Sequence, residues 1–134
     1  MLYMQEMRIN STLHDQMIDI TEELQQYLPE DYSGSMIVYV PHTSAAITIN
    51  EGFDSDVQSD ILEYLQRSVP WDLPLFKHRE GNTAAHIKAM IVGNNESMII
   101  ENGKLLVGTW ERVFFCEFDG PRTRKIWIQL SNYA

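Results

Sequence analysis

Cysteine and basic residues are scarce in this sequence. Its 134 residues include one cysteine, Cys116, and ten lysine and arginine residues against nineteen acidic ones. A lone cysteine cannot form a disulfide within the chain, so cysteine usage gives no indication of an oxidising compartment. The net charge of -9 repels a phosphate backbone unless the few cations are gathered in one place. We therefore expect no nucleic-acid partner.

Long hydrophobic runs and targeting signals are also missing. No stretch reaches the roughly 18 consecutive apolar residues that a membrane-spanning helix needs. Residues 1–16 alternate in polarity and do not combine a basic leader with an apolar segment. We expect a cytoplasmic protein without a membrane partner. Because 44% of the residues are hydrophobic, the chain can form one core, and we expect a single domain over residues 1–134.

The longest polar interruption covers residues 67–82. Pro70 and Pro74 exclude a regular helix or a central strand there, because proline lacks the backbone donor that both structures use. Long loops inside compact domains are more often functional than idle. This loop also carries His78, so we include it among the candidate functional segments.

Three helices are predicted from apolar periodicity and capping residues. The first covers residues 19–28, with Asp19 and Glu22 as a capping box. The second covers residues 55–67 with Ser55 as its cap. The third covers residues 83–93, with Asn82 as its cap and Gly93 as its end.

Strands are predicted on both sides of these helices and dominate the last third of the chain. Their ranges are 1–9, 35–40, 42–50, 97–100, 104–108, 112–118 and 124–130. The continuous apolar run at 35–40 predicts a strand that is buried on both faces. This order of elements favours an α+β fold with mostly antiparallel sheet layers and helices packed on one side.

The segment 41–52, "PHTSAAITINEG", has polar groups at both ends of an apolar centre. Strand alternation places Ala45, Ile47 and Ile49 on one face. In a straight strand, His42 and Asn50 would lie about 25 to 27 Å apart at roughly 3.3 Å per residue. They cannot share a small ligand in that geometry, so we expect a bend after His42 or a site built between strands or subunits.

Three of the four histidines lie beside polar residues near breaks in secondary structure: His42, His78 and His86. His14 has no such surroundings. Each histidine can be a metal ligand, a general base or a hydrogen-bonded polar group, and spacing alone leaves these alternatives open. His86 follows Asn82 by four residues and should overlook the amino end of its helix, where free amides favour an anion such as phosphate.

Three further positions have a structural and a functional interpretation. Cys116 lies between aromatic residues and is predicted to be a buried structural thiol and not a nucleophile. Arg122 follows a turn and could clamp a carboxylate or phosphate, or simply balance Asp119 on the surface. The segment 108–111, "GTWE", predicts a bulge with a packed Trp110.

Four segments together resemble the YjbQ-like family, uncharacterised protein family 0047, whose members are often called secondary thiamine-phosphate synthase. They are "HTSAAITINEG", "NTAAHIKA" with His78 ahead of it, "GTWE" and "EFDGPRTRKIWI". They span residues 42–128 in the family's order, so the resemblance covers most of the chain. Two positions depart from the family pattern. Ser44 replaces a threonine and keeps the hydroxyl, whereas Glu111 replaces a glutamine and changes an amide into a carboxylate.

The resemblance implies an α+β fold, a homotrimer and a polar cleft for a small phosphorylated substrate. The catalytic candidates it implies are His42, Glu51, His86, Glu117 and Asp119. The substrate-binding candidates are Thr43, Ser44, Asn50, Asn82, Thr83 and Arg122. The metal candidates are His42, His78 and His86, for a divalent ion such as zinc or magnesium.

The activity that the resemblance implies is the joining of a hydroxymethylpyrimidine diphosphate to a thiazole phosphate. Two other functions suit the same residues: a metal-dependent hydrolase of a small phosphorylated compound, and a non-catalytic protein that binds an anion or a metal. The sequence leaves these three hypotheses open.

Overall fold

The computed structural model describes residues 2–132. The elements are strand β1 (Leu2–Asn10), strand β2 (Gln16–Asp19), helix α1 (Thr21–Gln25), strands β3 (Gly34–Tyr39) and β4 (Ala45–Glu51), helices α2 (Ser55–Ser68) and α3 (Thr83–Val92), and strands β5 (Asn95–Glu101), β6 (Lys104–Leu106), β7 (Glu111–Glu117) and β8 (Thr123–Asn132).

The strands form two sheets. The larger sheet has the order β1-β8-β3-β5-β6, and the smaller has the order β2-β7-β4. All six strand pairings are antiparallel. The predicted α+β fold with mostly antiparallel layers is therefore confirmed.

The main core lies between the two sheets. Met36, Val38, Ile126 and Ile128 of the larger sheet share one buried cluster with residues of the smaller sheet that include Phe115. Strand alternation explains this arrangement, because every second residue of β3 and β8 faces inward. Burial of this apolar surface is the main force that holds the two sheets together.

A second core lies on the other face of the smaller sheet, beneath the helices. Its buried members are mostly small, and Ala46 of β4 packs there with Ala85 and Ala89 of α3. Alanine side chains let the α3 backbone approach the sheet closely. Helix α2 covers the same layer but has no fully buried residue.

The predicted strand alternation of β4 is confirmed. Ala45, Ile47 and Ile49 belong to the main core or pack against it, whereas Ala46 belongs to the second core. The prediction that residues 35–40 are buried on both faces is wrong. Ile37 and Tyr39 are 39% and 40% exposed, because no element within residues 2–132 covers the outer face of the larger sheet there.

The predicted helix starts need correction at two places. Asp19 ends strand β2, and its carboxylate accepts hydrogen bonds from Thr21 and Arg112, so it does not cap a helix. Helix α2 is capped by Asp54, whose carboxylate accepts from the amide of Asp56, and Ser55 is its first helical residue. The second error arises because Asp54, one residue earlier, competes with Ser55 for the same backbone amides.

Helix α3 begins and ends as predicted. Asn82 is its N-cap residue and Gly93 its C-cap residue, with a φ of 104° that favours glycine. However, the Asn82 side chain makes no capping bond. Strand β2 was not predicted, because its four residues carry little pattern and are held by pairing with β7.

No helix within residues 2–132 is both long enough and apolar enough to cross a membrane.

Candidate functional site

A cavity of about 390 Å³ lies between the segment that precedes β4 and the outer side of α3. His42 and Thr43 line it from the segment before β4, and His86 lines it from α3. The other lining residues are Ala45, Ala89, Met90, Gly93 and Asn94. The structure therefore brings together two of the three candidate histidines and one candidate hydroxyl.

His86 is oriented by the backbone of the facing segment. Its Nδ1 lies 2.9 Å from the carbonyl oxygen of Thr43. A carbonyl can only accept, so Nδ1 carries the ring proton and Nε2 keeps a free lone pair in the neutral ring. His78 lies beside it, with ring centroids 5.6 Å apart and the planes at 67°. The long loop thus returns to α3 and places a further imidazole against His86, although His78 is not among the residues that line the cavity.

His42 has the opposite orientation. Its Nε2 accepts the backbone N–H of Lys125 at 2.9 Å, which leaves the ring proton on Nδ1. Burial lowers the pKa of His42 below its ordinary value, and the positive charge of Arg124 lowers it further. His42 is therefore held neutral, with an N–H donor to offer a ligand.

A buried ion pair supports the segment that carries His42. Arg124 bonds Glu117 through Nη2 and through Nε, the latter at 2.9 Å, and its Nη2 also donates to the hydroxyl of Ser44 at 2.9 Å. Glu117 is fully buried and also accepts from the Ser11 hydroxyl and the amide of Asp119. Burial would raise the pKa of Glu117, but the bonds from Arg124 and the other donors hold it below its ordinary value.

Glu117 and Ser44, predicted as catalytic and substrate-binding residues, thus lie within this support. Their polar atoms are engaged with Arg124, and Glu117 has no surface to present to a substrate. Sequence reasoning did not single out Arg124. The alternation of β8 could have identified it, because Arg124 lies on the same face of the strand as Ile126 and Ile128, which are buried.

A second polar group lies at the amino end of α3. Asp119 accepts from the Asn82 side chain at 2.9 Å and from Arg122 Nη2 at 3.0 Å. Arg122 Nε also donates to the backbone oxygen of Asp119 at 2.7 Å. Asn82 is buried, and its Oδ1 has no hydrogen-bond partner among the described residues. Of the two interpretations of Arg122, the structure shows the pairing with Asp119.

Asn50 and Glu51 lie at the other end of β4, away from the histidine cavity. Asn50 accepts the amide of Glu51, and the Glu51 carboxylate accepts the amides of Phe53 and Asp54. Asn50 lines a different cavity. The predicted separation of the two ends of the segment 42–50 therefore holds, and the structure groups only its first end with His86.

Thr83 is the first residue of α3 and is half-buried. It neither lines the histidine cavity nor belongs to the polar group around Asp119.

The expectation that His14 lacks polar surroundings is wrong. Its Nδ1 lies 2.5 Å from Asp15, its Nε2 lies 3.6 Å from Asp119, and its ring meets the edge of Trp71 at 4.4 Å. Asp15 in turn pairs with the buried Lys88. Asp15 is the next residue in the sequence after His14, but only tertiary structure brings Trp71 of the long loop, Lys88 of α3 and Asp119 of the β7–β8 turn to this pair.

The two structural predictions near β7 have different outcomes. Cys116 is buried as predicted, and burial raises its pKa to about 12, so the thiolate is strongly disfavoured. Trp110 is not packed in the core but is 63% exposed, and it contacts Phe53 edge to face. Glu111 accepts the amide of Gly108 at 2.7 Å. The carbonyl oxygen of a glutamine could accept the same bond, so the exchange at this position preserves the turn.

The residues around the cavity do not fit a metal centre contained within one chain. Among residues 2–132, no group of three or more His, Cys, Asp and Glu side chains is placed to hold a metal ion. The Nε2 of His42 is already occupied by the Lys125 amide, which leaves His78 and His86 as the imidazoles with open nitrogens. Two imidazoles fall short of the three protein ligands of typical catalytic zinc sites.

Fold and site together define an α+β protein with two stacked antiparallel sheets, helices over the smaller sheet, and a cavity edged by histidines. A family model for "UPF0047 protein YjbQ-like" matches residues 5–133. The chain belongs to this family of uncharacterised proteins.

Curated relatives agree with this assignment. UPF0047 protein YugU of Bacillus subtilis is 48% identical over 126 residues, which cover 92% of this chain and 96% of YugU. A UPF0047 protein of Methanocaldococcus jannaschii is 41% identical over 127 residues, which cover 92% of this chain and 90% of the relative.

Solved structures share the fold. An uncharacterised YjbQ/UPF0047-family protein of Clostridium acetobutylicum has a TM-score of 0.90 at 44% identity, covering 95% of this chain and 99% of its own. A YbjQ-like protein of unknown function from Sulfolobus solfataricus has a TM-score of 0.92 at 27% identity, covering 99% of each chain.

Proposed function

We propose that the histidine cavity binds a diphosphate and that the protein joins a hydroxymethylpyrimidine diphosphate to a thiazole phosphate. The observation that carries this proposal is the convergence of three histidines from separate segments: His42 and His86 line one cavity, and the ring of His78 lies against His86. A volume of about 390 Å³ falls in the range of small-molecule sites, roughly 300 to 1,000 Å³.

The proposed reaction is a substitution at the methylene carbon of the pyrimidine. A new bond forms from the thiazole nitrogen to that carbon, the bond from carbon to the diphosphate oxygen breaks, and the electron pair leaves with the diphosphate. The thiazole nitrogen carries no proton, so no base is required. What the reaction needs is stabilisation of the leaving anion by hydrogen-bond donors.

The cavity suits that need. Neutral His42 offers its Nδ1–H, and His78 and His86 become donors at their open nitrogens when protonated. No carboxylate is among the residues that line the cavity. The missing carboxylate favours substitution over hydrolysis, since Glu51 is held in the turn before α2 and the open Nε2 of neutral His86 is the basic group that remains in the described lining.

A binding function without turnover is the second candidate. It is favoured by the same donors and by the outward-facing, half-exposed setting of His86, which leaves a ligand in contact with water. Enzymes that form reactive alkyl cations usually exclude water from them. A divalent ion could accompany the diphosphate as part of the substrate, with ligands from the anion, water and the two open imidazoles.

We also propose that the protein assembles as a homotrimer through the outer face of the larger sheet. Trp127 stacks on Tyr39 there, with centroids 5.9 Å apart and planes at 15°, and Ile37 and Ile99 are exposed beside them. Exposed apolar surface of this kind marks interaction sites. Because Lys125 of β8 holds His42, this face adjoins the histidine cavity.

Turnover and diphosphate binding test the two functional candidates. Purified protein is incubated with both precursors, and thiamine phosphate is measured as thiochrome fluorescence. Binding of inorganic pyrophosphate is measured by calorimetry, and metal content by elemental analysis. We expect His78→Ala and His86→Ala each to lower product formation at least tenfold, and Glu80→Ala, in the same loop, to leave it unchanged. Unchanged turnover in both histidine variants would refute the synthase. Tight pyrophosphate binding with only trace product would replace it by the binding function.

Light scattering tests the trimer. We expect the mass of three chains for the wild-type protein and for Trp110→Glu, and a lower mass for Trp127→Glu. A monomeric wild-type protein, or a Trp127→Glu variant with three chains, would contradict the proposed interface.

A further inference from the structure

A second cavity, of about 460 Å³, lies between α2, α3 and the smaller sheet. It is separate from the histidine cavity and shares no lining residue with it. Its lining residues are mostly apolar: Met17, Ile61, Leu62, Leu65, Ile91, Val92, Cys116 and Phe118, with Thr48, Asn50, Asp60 and Tyr64 as the polar members.

The sequence of the helices explains why this space stays open. Helix α3 packs closely on the sheet through Ala85 and Ala89, whereas α2 reaches the second core with Leu62 and Leu65, which are only partly buried. No residue of α2 is fully buried, although the helix is 14 residues long. The cavity lies beside these partly buried residues of α2, and mostly apolar side chains line it.

The polar members place one unpaired negative charge beside this gap. Asp60 is the single charged residue of the lining, and its carboxylate has no hydrogen bond or ion pair within the part of the chain that the structure describes. By contrast, Glu63 on the same helix pairs with Arg67. At neutral pH a carboxylate at the rim of an apolar cavity attracts a cation and repels an anion.

We propose that this cavity binds a small apolar or aromatic molecule that carries one positively charged amine. The ring or alkyl part would occupy the space between Leu62, Ile91 and Phe118, and the ammonium group would pair with Asp60. The volume lies within the range of small-ligand sites, and their usual make-up is the one seen here, apolar walls with a few polar groups. The net charge of -9 favours the same class of ligand. This site is independent of the function proposed for the histidine cavity.

A matched pair of probes tests the proposal: 2-phenylethylamine and 3-phenylpropionate have similar size and the same ring but opposite charge. Binding is followed by carbon-13 methyl NMR of the full-length protein, with the signals of Leu62, Leu65, Ile61 and Ile91 as reporters. We expect the amine to shift these signals with an affinity at least tenfold above that of the carboxylate. The expected affinity of Asp60→Asn for the amine is lower by roughly two- to fivefold, the size of an exposed charge pair.

Two variants separate the site from general effects. Asp56→Asn removes the same charge one turn earlier on α2, outside the cavity lining, and should leave amine binding unchanged. Leu62→Trp should fill the cavity and abolish binding of the amine.

Three results would overturn the proposal. They are the absence of methyl shifts with the amine, equal binding of amine and carboxylate, and binding that Leu62→Trp does not affect. Pyrophosphate binding at the histidine cavity is a separate measurement, so failure of either proposal can be told from failure of the other.

Discussion

The Nδ1–H of His86 donates to the backbone carbonyl of Thr43 over 2.9 Å and so ties α3 to the segment that precedes β4. This bond decides which nitrogen of His86 is open to a ligand. The bond from the Lys125 amide to His42 Nε2 likewise determines that Nδ1 is the open nitrogen of the His42 ring. The two histidines of one cavity are therefore fixed in complementary forms, one presenting a lone pair and the other an N–H.

The first prediction concerns these ring tautomers. In long-range proton–nitrogen NMR spectra at alkaline pH, we expect the neutral rings of both His86 and His42 to carry their proton on Nδ1, the form that is less populated in free histidine. The His78 ring has no hydrogen bond to the backbone within the described residues 2–132, so it serves as the internal control. A proton on Nε2 of either His86 or His42 would contradict the hydrogen bonds described above.

The second prediction is a pH dependence of stability from His42. Burial, reinforced by the charge of Arg124, lowers the pKa of His42 in the folded state below the ordinary value of 6.5. Between the two pKa values the unfolded chain binds more protons, so the free energy of unfolding rises with pH there. The stabilisation is present above about pH 6.5 and is lost as pH falls through the folded pKa.

Denaturant titrations between pH 5 and pH 8 measure this effect. We expect His42→Gln, which can accept the Lys125 amide through its side-chain oxygen, to flatten the slope near and below pH 6.5. The exposed His78→Gln is the matched control and should keep the wild-type slope. An identical pH profile in wild type and His42→Gln would show that His42 does not contribute.

The third prediction concerns the buried pair of Glu117 and Arg124. Removal of one partner leaves an uncompensated buried charge, so we expect Arg124→Met or Glu117→Leu to lower the free energy of unfolding by about 3–5 kcal/mol. The double variant Glu117→Leu/Arg124→Met should recover a large part of this loss, because neither charge is then left alone. Urea denaturation of the four proteins measures the coupling. Additive losses in the double variant would mean that the two residues act independently.

The fourth prediction concerns the thiol of Cys116. Burial raises its pKa to about 12, so almost no thiolate exists at neutral pH and the sulfur is inaccessible. We expect no modification by a thiol-reactive disulfide reagent on the folded protein at pH 8, and one equivalent to react in denaturant. Rapid reaction of the folded protein would show that the second core opens readily. The variant Cys116→Ser, which has no cysteine, measures the background reaction of the reagent.

Local pattern was sufficient where a residue's role depends on its near neighbours in the chain. The alternation in 45–49 determines which side chains of β4 face the main core. For α3, Asn82 and Gly93 mark the two ends of the helix, and its alanines form the buried face. The aromatic neighbours of Cys116 in the sequence also indicated its burial. These features follow from backbone periodicity and side-chain size, which any reader of the sequence can evaluate.

Tertiary structure decided which polar residues meet. His14 contacts Asp119 and Trp71 only because the β1–β2 connection, the β7–β8 turn and the long loop converge. Strand β2 exists through pairing with β7, since its own four residues carry little signal.

The candidate site divides along the same line. The sequence by itself determined that the first and last polar groups of 42–50 cannot share a small ligand if the segment is one straight strand, because the strand would hold them about 25 to 27 Å apart at roughly 3.3 Å per residue. Only the tertiary structure decided that His42 and Thr43 line the same cavity as His86, and that Glu117 forms a buried ion pair with Arg124. The physical reason is that a hydrogen bond between distant segments depends on how sheets and helices stack, and this stacking is fixed by the whole core and not by any one motif.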